Sequence, residues 1–293
     1  MIIDVKYYII TITAIFISLG IGIFIGFNMD GEDIYLKQQQ QIVDSLEDRF
    51  SEFRIEKESL QKRIQDLIVQ KEKRDNFMER IYYEVIGNKL TGLNIAIIQM
   101  TDHYYYNDVR TTLEEAGAFV PIKVIYNQQL IQLTDEALEN INYSFGLSLN
   151  KEEILELINN NIIQLVTDNK MSNLLDFLIT EGFLQINKYD EDISPIHQVI
   201  IAAGNQISND RRKNIIDLNL IEDLKYNDIR VIGVERLDIL NSSIPLYKKA
   251  NISTIDNVDT LMGRISLVLV CSGKEGSFGE KDTSEALAPV GSF

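Results

Sequence analysis

Twenty-one consecutive positions, Tyr7 to Phe27 (YYIITITAIFISLGIGIFIGF), carry no charged side chain. A helix needs about 20 apolar residues to cross a hydrocarbon core of about 30 Å, so the run predicts a transmembrane anchor at residues 7–27. Six residues precede it, and everything after Asn28 reads as water-soluble. The rival reading is a cleaved signal peptide, which calls for a basic start, a shorter apolar core and a small-residue cleavage site. Here Lys6 stands beside Asp4, the run is long, and it ends in Gly-Phe-Asn-Met-Asp, so the anchor is expected to be retained. Lys6 and the terminal amine are the positive groups on the short side. The positive-inside bias then predicts a single-pass cell-membrane protein with a cytoplasmic N-terminus and an extracytoplasmic body.

The body is acidic. Of the formal charge of −16, −13 falls after residue 90; such a surface is repelled by phosphate backbones, which argues against nucleic acid as a partner. Cys271 is the single cysteine, so no internal disulfide or multi-cysteine cluster can form. Stability must come from a core, and about 200 residues are enough for one.

Between anchor and body, residues 32–90 follow a heptad. With a at Leu36, the a positions are Val43, Phe50, Lys57, Ile64, Lys71, Met78 and Val85; d begins at Gln39 and runs through Leu46, Phe53, Leu60, Leu67, Arg74, Ile81 and Asn88. Eleven of these 16 positions are apolar, with no Pro and no Gly from Leu36 until Gly87. That is a coiled-coil pattern, about 80 Å long as a helix. Left alone it would hold an apolar stripe in water, and no second helix of matching length follows in the chain. The expected partner is a second copy in a parallel homodimer, packed through Val43, Leu46, Phe50, Phe53, Leu60, Ile64 and Leu67; an antiparallel pair or a different partner helix is the alternative. Ser18, Gly22 and Gly26 recur every four residues in the anchor, a spacing that lets two membrane helices approach closely. The plainer reading is that glycine is common in membrane helices.

After Gly87-Asn88-Lys89 the pattern changes. Leu93–Gln99 (LNIAIIQ) is a buried strand, Asn107–Ala116 a helix ending at Gly117, and Phe119–Ile125 a second strand, together a βαβ unit. Val199–Ala203, Ile229–Val234 and Asn251–Thr254 supply further strands, with Asp210–Leu224 a helix between the first two. Residues 135–183 are a helical insertion. Ile265–Cys271 fits a strand or a helix; the capping residues Asp256-Asn257 and Gly273 favour a final buried helix over 258–272. The expected fold of 92–272 is a three-layer α/β domain, Rossmann-like or flavodoxin-like, with a mainly parallel sheet. The Gly-rich, polar tail 273–293 is expected to be flexible or draped over the surface.

Catalytic motifs are scarce. Gly273-x-x-Gly276-x-x-Gly279 follows an element instead of opening a helix after a strand, so it lacks the setting of a dinucleotide fingerprint. There is no Walker A, HExxH or GxSxG pattern. Cys271 has no His beside it and reads as a packing thiol; His197 reads as a strand-end residue. His103 lies with Asp102 and Tyr104-Tyr105-Tyr106 just after the first strand, the edge where open α/β sheets bind ligands; the plainer reading is a surface loop with aromatic packing. A non-enzymatic protein is expected.

The short N-terminal flank, the anchor ending in SLGIGIFIG and the coiled coil that follows at once resemble the copper transport protein B family. So do the strand Leu93–Gln99, the stretch Leu113–Gly117 (LEEAG), Asn257-Val258-Asp259-Thr260 with Gly263, and Gly276-x-x-Gly279. The resemblance covers nearly the whole chain. It implies an envelope protein with a nominal role in copper efflux and homeostasis. Some relatives are instead associated with cell division and the cell wall as anchored coiled-coil partners. Copper(I) favours thiolate and thioether ligands and copper(II) imidazole, whereas this chain has one Cys, two His and six Met. Met100, His103 and Cys271 are the candidate metal ligands, and no resident cofactor is expected. Nor does one anchor make a pore, which needs a helix bundle or closed barrel; a large oligomer of anchors could. Two readings follow: a scaffold or regulator of envelope or cell-division partners, and a component of copper export or homeostasis.

Overall fold

The computed structural model describes residues 5–191, 195–204 and 216–289, apart from the side chains of residues 28–35. The chain divides into two compact units, the second starting at Arg74. A single helix, α1 (Val5–Ile86), accounts for the first unit and continues into the second. Its segment Val5–Phe27 has a mean hydropathy of 2.4 and is fully exposed, the one span among the described residues long and apolar enough to cross a membrane.

The second unit is the expected α/β domain. In chain order, α1 is followed by β1 (Ile95–Gln99), α2 (Asn107–Glu115), β2 (Ile122–Tyr126), α3 (Gln128–Ile131), α4 (Asp135–Phe145), α5 (Lys151–Asp168), α6 (Asn173–Thr180) and β3 (Leu184–Lys188). Then come β4 (Gln198–Ala202), α7 (Leu218–Tyr226), β5 (Arg230–Val234), α8 (Ile244–Lys249), β6 (Ser253–Ile255), α9 (Leu261–Cys271) and β7 (Ser277–Phe278). Part of the helix expected over Asp210–Leu224 lies outside the described residues. The sheet order is β3-β2-β1-β4-β5-β6-β7. Every pairing is parallel except β3 against β2. β1 and β4 are buried along their whole length, as central parallel strands covered on both faces must be.

Two cores cover the two faces. One joins Ala96, Ile98 and Met100 of the β1 segment to residues of α5, α6 and α7 and to Tyr247. The other joins Ile95 and Ile97 to Val109 and Leu113 of α2, to Leu267 and Val268 of α9, and to Tyr82 and Ile86 from the end of α1. The alternation along β1 follows from side chains leaving a strand on opposite sides.

The helical insertion appears as α4, α5 and α6. Its longest helix, α5, opens with a reciprocal cap in which the Asn150 side chain accepts from Glu152 and Glu153 N–H while Glu153 accepts from Asn150 N–H, as a capping box does. Ile265–Cys271 is helical, within α9, whose cap is Thr260 accepting from Gly263 N–H at 3.0 Å.

Three features extend beyond the sequence reading. β3 is a polar edge strand (LQINK) with one fully buried residue, Leu184, so it carries no apolar run to announce it. The segment after Gly273 adds β7 to the sheet and then packs over the strand ends: Asp256 accepts from Glu280 N–H at 2.8 Å, from Lys281 N–H at 3.1 Å and from the Ser284 hydroxyl. The domain core also reaches back past residue 92, because Tyr82, Ile86 and Leu90 are buried in it.

Candidate functional site

The first candidate is the exposed face of α1. Val43, Leu46, Phe50, Phe53, Leu60, Ile64 and Leu67 are all exposed, between 46% and 70%. Ser18, Gly22 and Gly26 lie on the apolar span, also exposed, and nothing lies within 4 Å of a Cβ built on Gly22 or Gly26. The heptad continues past Arg74, but there its apolar positions change role. Met78 and Val85 pack against the domain core, and Ile81 is half-buried. The face open to another helix therefore runs from Leu36 to Leu67, and the last turns of α1 belong to the domain.

That junction is built from particular groups. Tyr82 donates its hydroxyl to Glu115 Oε2 at 3.0 Å and also meets Thr112 Oγ1 at 3.4 Å; burial, foremost, pushes its pKa up. Asn88 takes a left-handed conformation (φ 59°) to end the helix, and Leu90 N–H donates to Ala116 O at 2.9 Å. Gly117 has φ 91°, and a Cβ there would lie 2.8 Å from Thr91 Oγ1, so only glycine fits this crossing of two chain segments. The LEEAG stretch thus ties α1 to the sheet.

The second candidate is the carboxyl edge of the sheet. Chain connections leave β1 toward β2 on one side and reach β4 on the other, so the crevice between β1 and β4 is the switch point where such sheets take ligands. Here the chain's own side chains occupy it. Tyr106 is buried and its hydroxyl donates to Ala203 O, while Ile239 packs over Gly204. Burial, and then the nearby Glu235 charge, push the Tyr106 pKa well up. Arg236 binds Tyr105 O at 3.3 Å and forks onto Asp238 at 2.9 and 3.2 Å, which holds the Asp238 carboxyl below its usual range. Glu235, fully buried, accepts from Ser243 N–H at 2.7 Å and from Lys281 Nζ at 3.0 Å. These acids serve as acceptors for the fold, and no glycine-rich turn follows β1.

The loop after β1 brings Thr101, Asp102 and His103 together. Asp102 Oδ1 stands 3.6 Å from His103 Nδ1, and Thr101 Oγ1 stands 3.4 Å from the same nitrogen. A relay needs the carboxylate on one ring nitrogen and the hydroxyl on the other. Asp102 also accepts from Gln128 N–H at 3.0 Å, fastening the loop to α3. Here the carboxylate and the hydroxyl lie on the same ring nitrogen, and the contacts order a turn.

The three candidate metal ligands do not converge. Met100 packs in one core and Cys271 in the other, on opposite faces of the sheet. They are also at opposite ends: the Cys271 carbonyl accepts from Gln198 at the start of β4, level with Ile95. Met100 lies five residues further along β1, or about 16 Å at the rise of a strand. His103 shares the carboxyl edge with Met100, but its side chain is part-exposed in the loop while Met100 is buried. Burial pushes the Cys271 thiol up to about 12, the opposite of what a thiolate ligand needs. The second histidine, His197, accepts from Asn94 N–H at 3.0 Å at the amino edge. Among the described residues no three His, Cys, Asp or Glu side chains group to hold a metal.

Sequence reasoning missed the role of the Asn257–Thr260 stretch. Asn257 O accepts from both the Thr260 N–H and hydroxyl at 2.9 Å. A Cβ on Gly263 would lie 2.0 Å from that carbonyl, so glycine at 263 is what lets α9 begin against β6. Asp259 accepts from Leu237 N–H at 2.7 Å. These residues seat a helix; the signal that would have revealed it was the Thr-x-x-Gly spacing at a helix start.

A family model described as "Copper transport outer membrane protein, MctB" matches residues 2–289. No individual curated protein matches the chain.

Proposed function

The chain belongs to the MctB family of copper transport outer membrane proteins, and on that premise we propose that it acts as a non-enzymatic, membrane-anchored scaffold in a copper-related envelope system. Two copies pair in parallel through residues 36–67 of α1. The apolar span holds them in the membrane with the N-terminus cytoplasmic, and the α/β domains stand outside, where they engage envelope or cell-division proteins. The observation that carries this reading is the exposed heptad face of α1 (Leu36 to Leu67); in this reading a second copy covers it. Burying such a face releases about 25 cal/mol per Å² of apolar surface.

The family description itself supports a second reading, in which the chain handles copper directly as part of export or homeostasis. The placement of Met100, His103 and Cys271 weighs against a ligand set made from them. A competition titration of the full chain in detergent against a chromophoric Cu(I) chelator separates the two. The scaffold reading expects wild type and a His103→Ala/Cys271→Ser variant to take equal, sub-stoichiometric copper from the chelator. Stoichiometric uptake abolished by the double substitution would move direct copper handling to first place.

A further inference from the structure

A cavity of about 370 Å³ opens at the amino edge of β5, β6 and β7, lined by Lys225, Arg230, Lys248, Ser253, Glu275 and Glu285 among others. It gathers three cations in a domain whose balance is strongly acidic. Lysines in the last turn of a helix commonly offset the helix dipole, and Lys225 and Lys248 sit in the last turns of α7 and α8. Backbone N–H groups share that task here. The final carbonyls of α7 already accept from Asn227, Asp228 and Ile229 N–H, and those of α8 from Ala250, Asn251 and Ile252 N–H. Arg230 belongs to a strand and to no helix.

Each cation also donates to a backbone carbonyl, the one that Lys225 reaches being the C-cap carbonyl of α8. Lys225 Nζ donates to Ala250 O at 3.0 Å, Arg230 Nη2 to Lys274 O at 2.7 Å, and Lys248 Nζ to Thr283 O at 2.7 Å. A carbonyl positions a charge without neutralising it. The carboxylate paired with the trio is Glu285, 3.4 Å from Lys248 and itself mostly exposed. Three cations fixed on a concave wall, with donor hydrogens left over on each, match a ligand bearing several anionic oxygens, because charge-assisted bonds to ammonium and guanidinium groups are the strong ones.

We propose that this cavity binds a small soluble polyanion, of the phosphate or polycarboxylate class, through Lys225, Arg230 and Lys248. Glu275 and Glu285, exposed residues of the same lining, accept from hydroxyl or ammonium groups of that ligand and disfavour a bare, highly charged polymer.

The test is isothermal titration of the full chain in neutral detergent with inorganic phosphate and, separately, with citrate. The proposal expects a dissociation constant of about 1 mM or tighter for at least one of them. Lys225→Gln and Arg230→Gln should each weaken it roughly tenfold, the loss of one charge-assisted contact, and raised salt should weaken it further. Arg230 also braces Lys274, so a variant that fails to fold leaves the test to the exposed Lys225→Gln, whose thermal midpoint should match wild type without ligand. No heat with either anion up to about 10 mM, or binding that Lys225→Gln leaves unchanged, would overturn the proposal.

Discussion

Replacing Leu60 and Leu67 together by Asp should convert the detergent-solubilised protein from dimer to monomer and leave the α/β domain folded. Both leucines are exposed in the single chain, at 54% and 57%, so an isolated subunit loses little by the change. In a paired stalk each dimer loses four seam leucines, at roughly 1.5–3 kcal/mol apiece on burial. It gains four carboxylates facing one another in an apolar seam, where unpaired charge is strongly disfavoured. Association should weaken by about a thousandfold or more, which sedimentation velocity across micromolar concentrations would read as loss of the dimer boundary. A domain that also unfolded would mean these residues serve the chain's own core.

Ile86→Asp should produce the reverse pattern, a damaged domain. Ile86 is fully buried against the core that contains Leu113 and Leu267, and a carboxylate there has no partner. A loss of about 4 kcal/mol or more is expected for a buried charge at such a position. For a unit of this size that lowers the thermal midpoint by roughly 10 °C or unfolds it outright. Lys62→Asp, on the same helix but exposed and off the heptad seam, is the control and should leave the midpoint in place. Equal midpoints for both variants would mean that α1 is only tethered to the domain.

The contrast between these positions shows what the sequence could and could not carry. A heptad records that a face is apolar; it does not record what covers it. Leu60 and Met78 occupy equivalent kinds of position, yet Leu60 is exposed and Met78 packs on the domain. The buried strands were legible because central parallel strands need continuous β-branched runs, as in Ile95–Gln99 and Gln198–Ala202. The polar edge strand at Leu184–Lys188 was not, since its hydrogen bonds to β2, and not its side chains, make it a strand. The tail told the same story. Its glycines and charges suggest loose chain, but Asp256 and Glu235 are buried acceptors awaiting donors, and Lys281 supplies them. Pairings of that kind join residues 25 and 46 positions apart, and no local pattern announces them.

The candidate sites divide along the same line. Met100, His103 and Cys271 are the right chemical types for copper, but type says nothing of convergence, and the sheet places Met100 and Cys271 on opposite faces. The histidine loop does lie at the edge where ligands are expected; Tyr106, three residues on, fills the crevice it borders. The cavity with Lys225, Arg230 and Lys248 draws on α7, β5, α8, β6, β7 and the segments between them, so its residues share no spacing that a sequence reading would single out.

Parallel pairing through the stalk is tested most directly by single cysteines placed along α1 in native membranes. The wild-type thiol, Cys271, is buried and protonated, so it stays silent under mild oxidation. Leu60→Cys lies on the seam, and in a parallel, in-register pair it meets its own counterpart; Lys62→Cys lies on the outer face of the same turn. The account predicts a disulfide-linked dimer from Leu60→Cys and little or none from Lys62→Cys. Equal cross-linking at both positions, or none at Leu60→Cys, would contradict it.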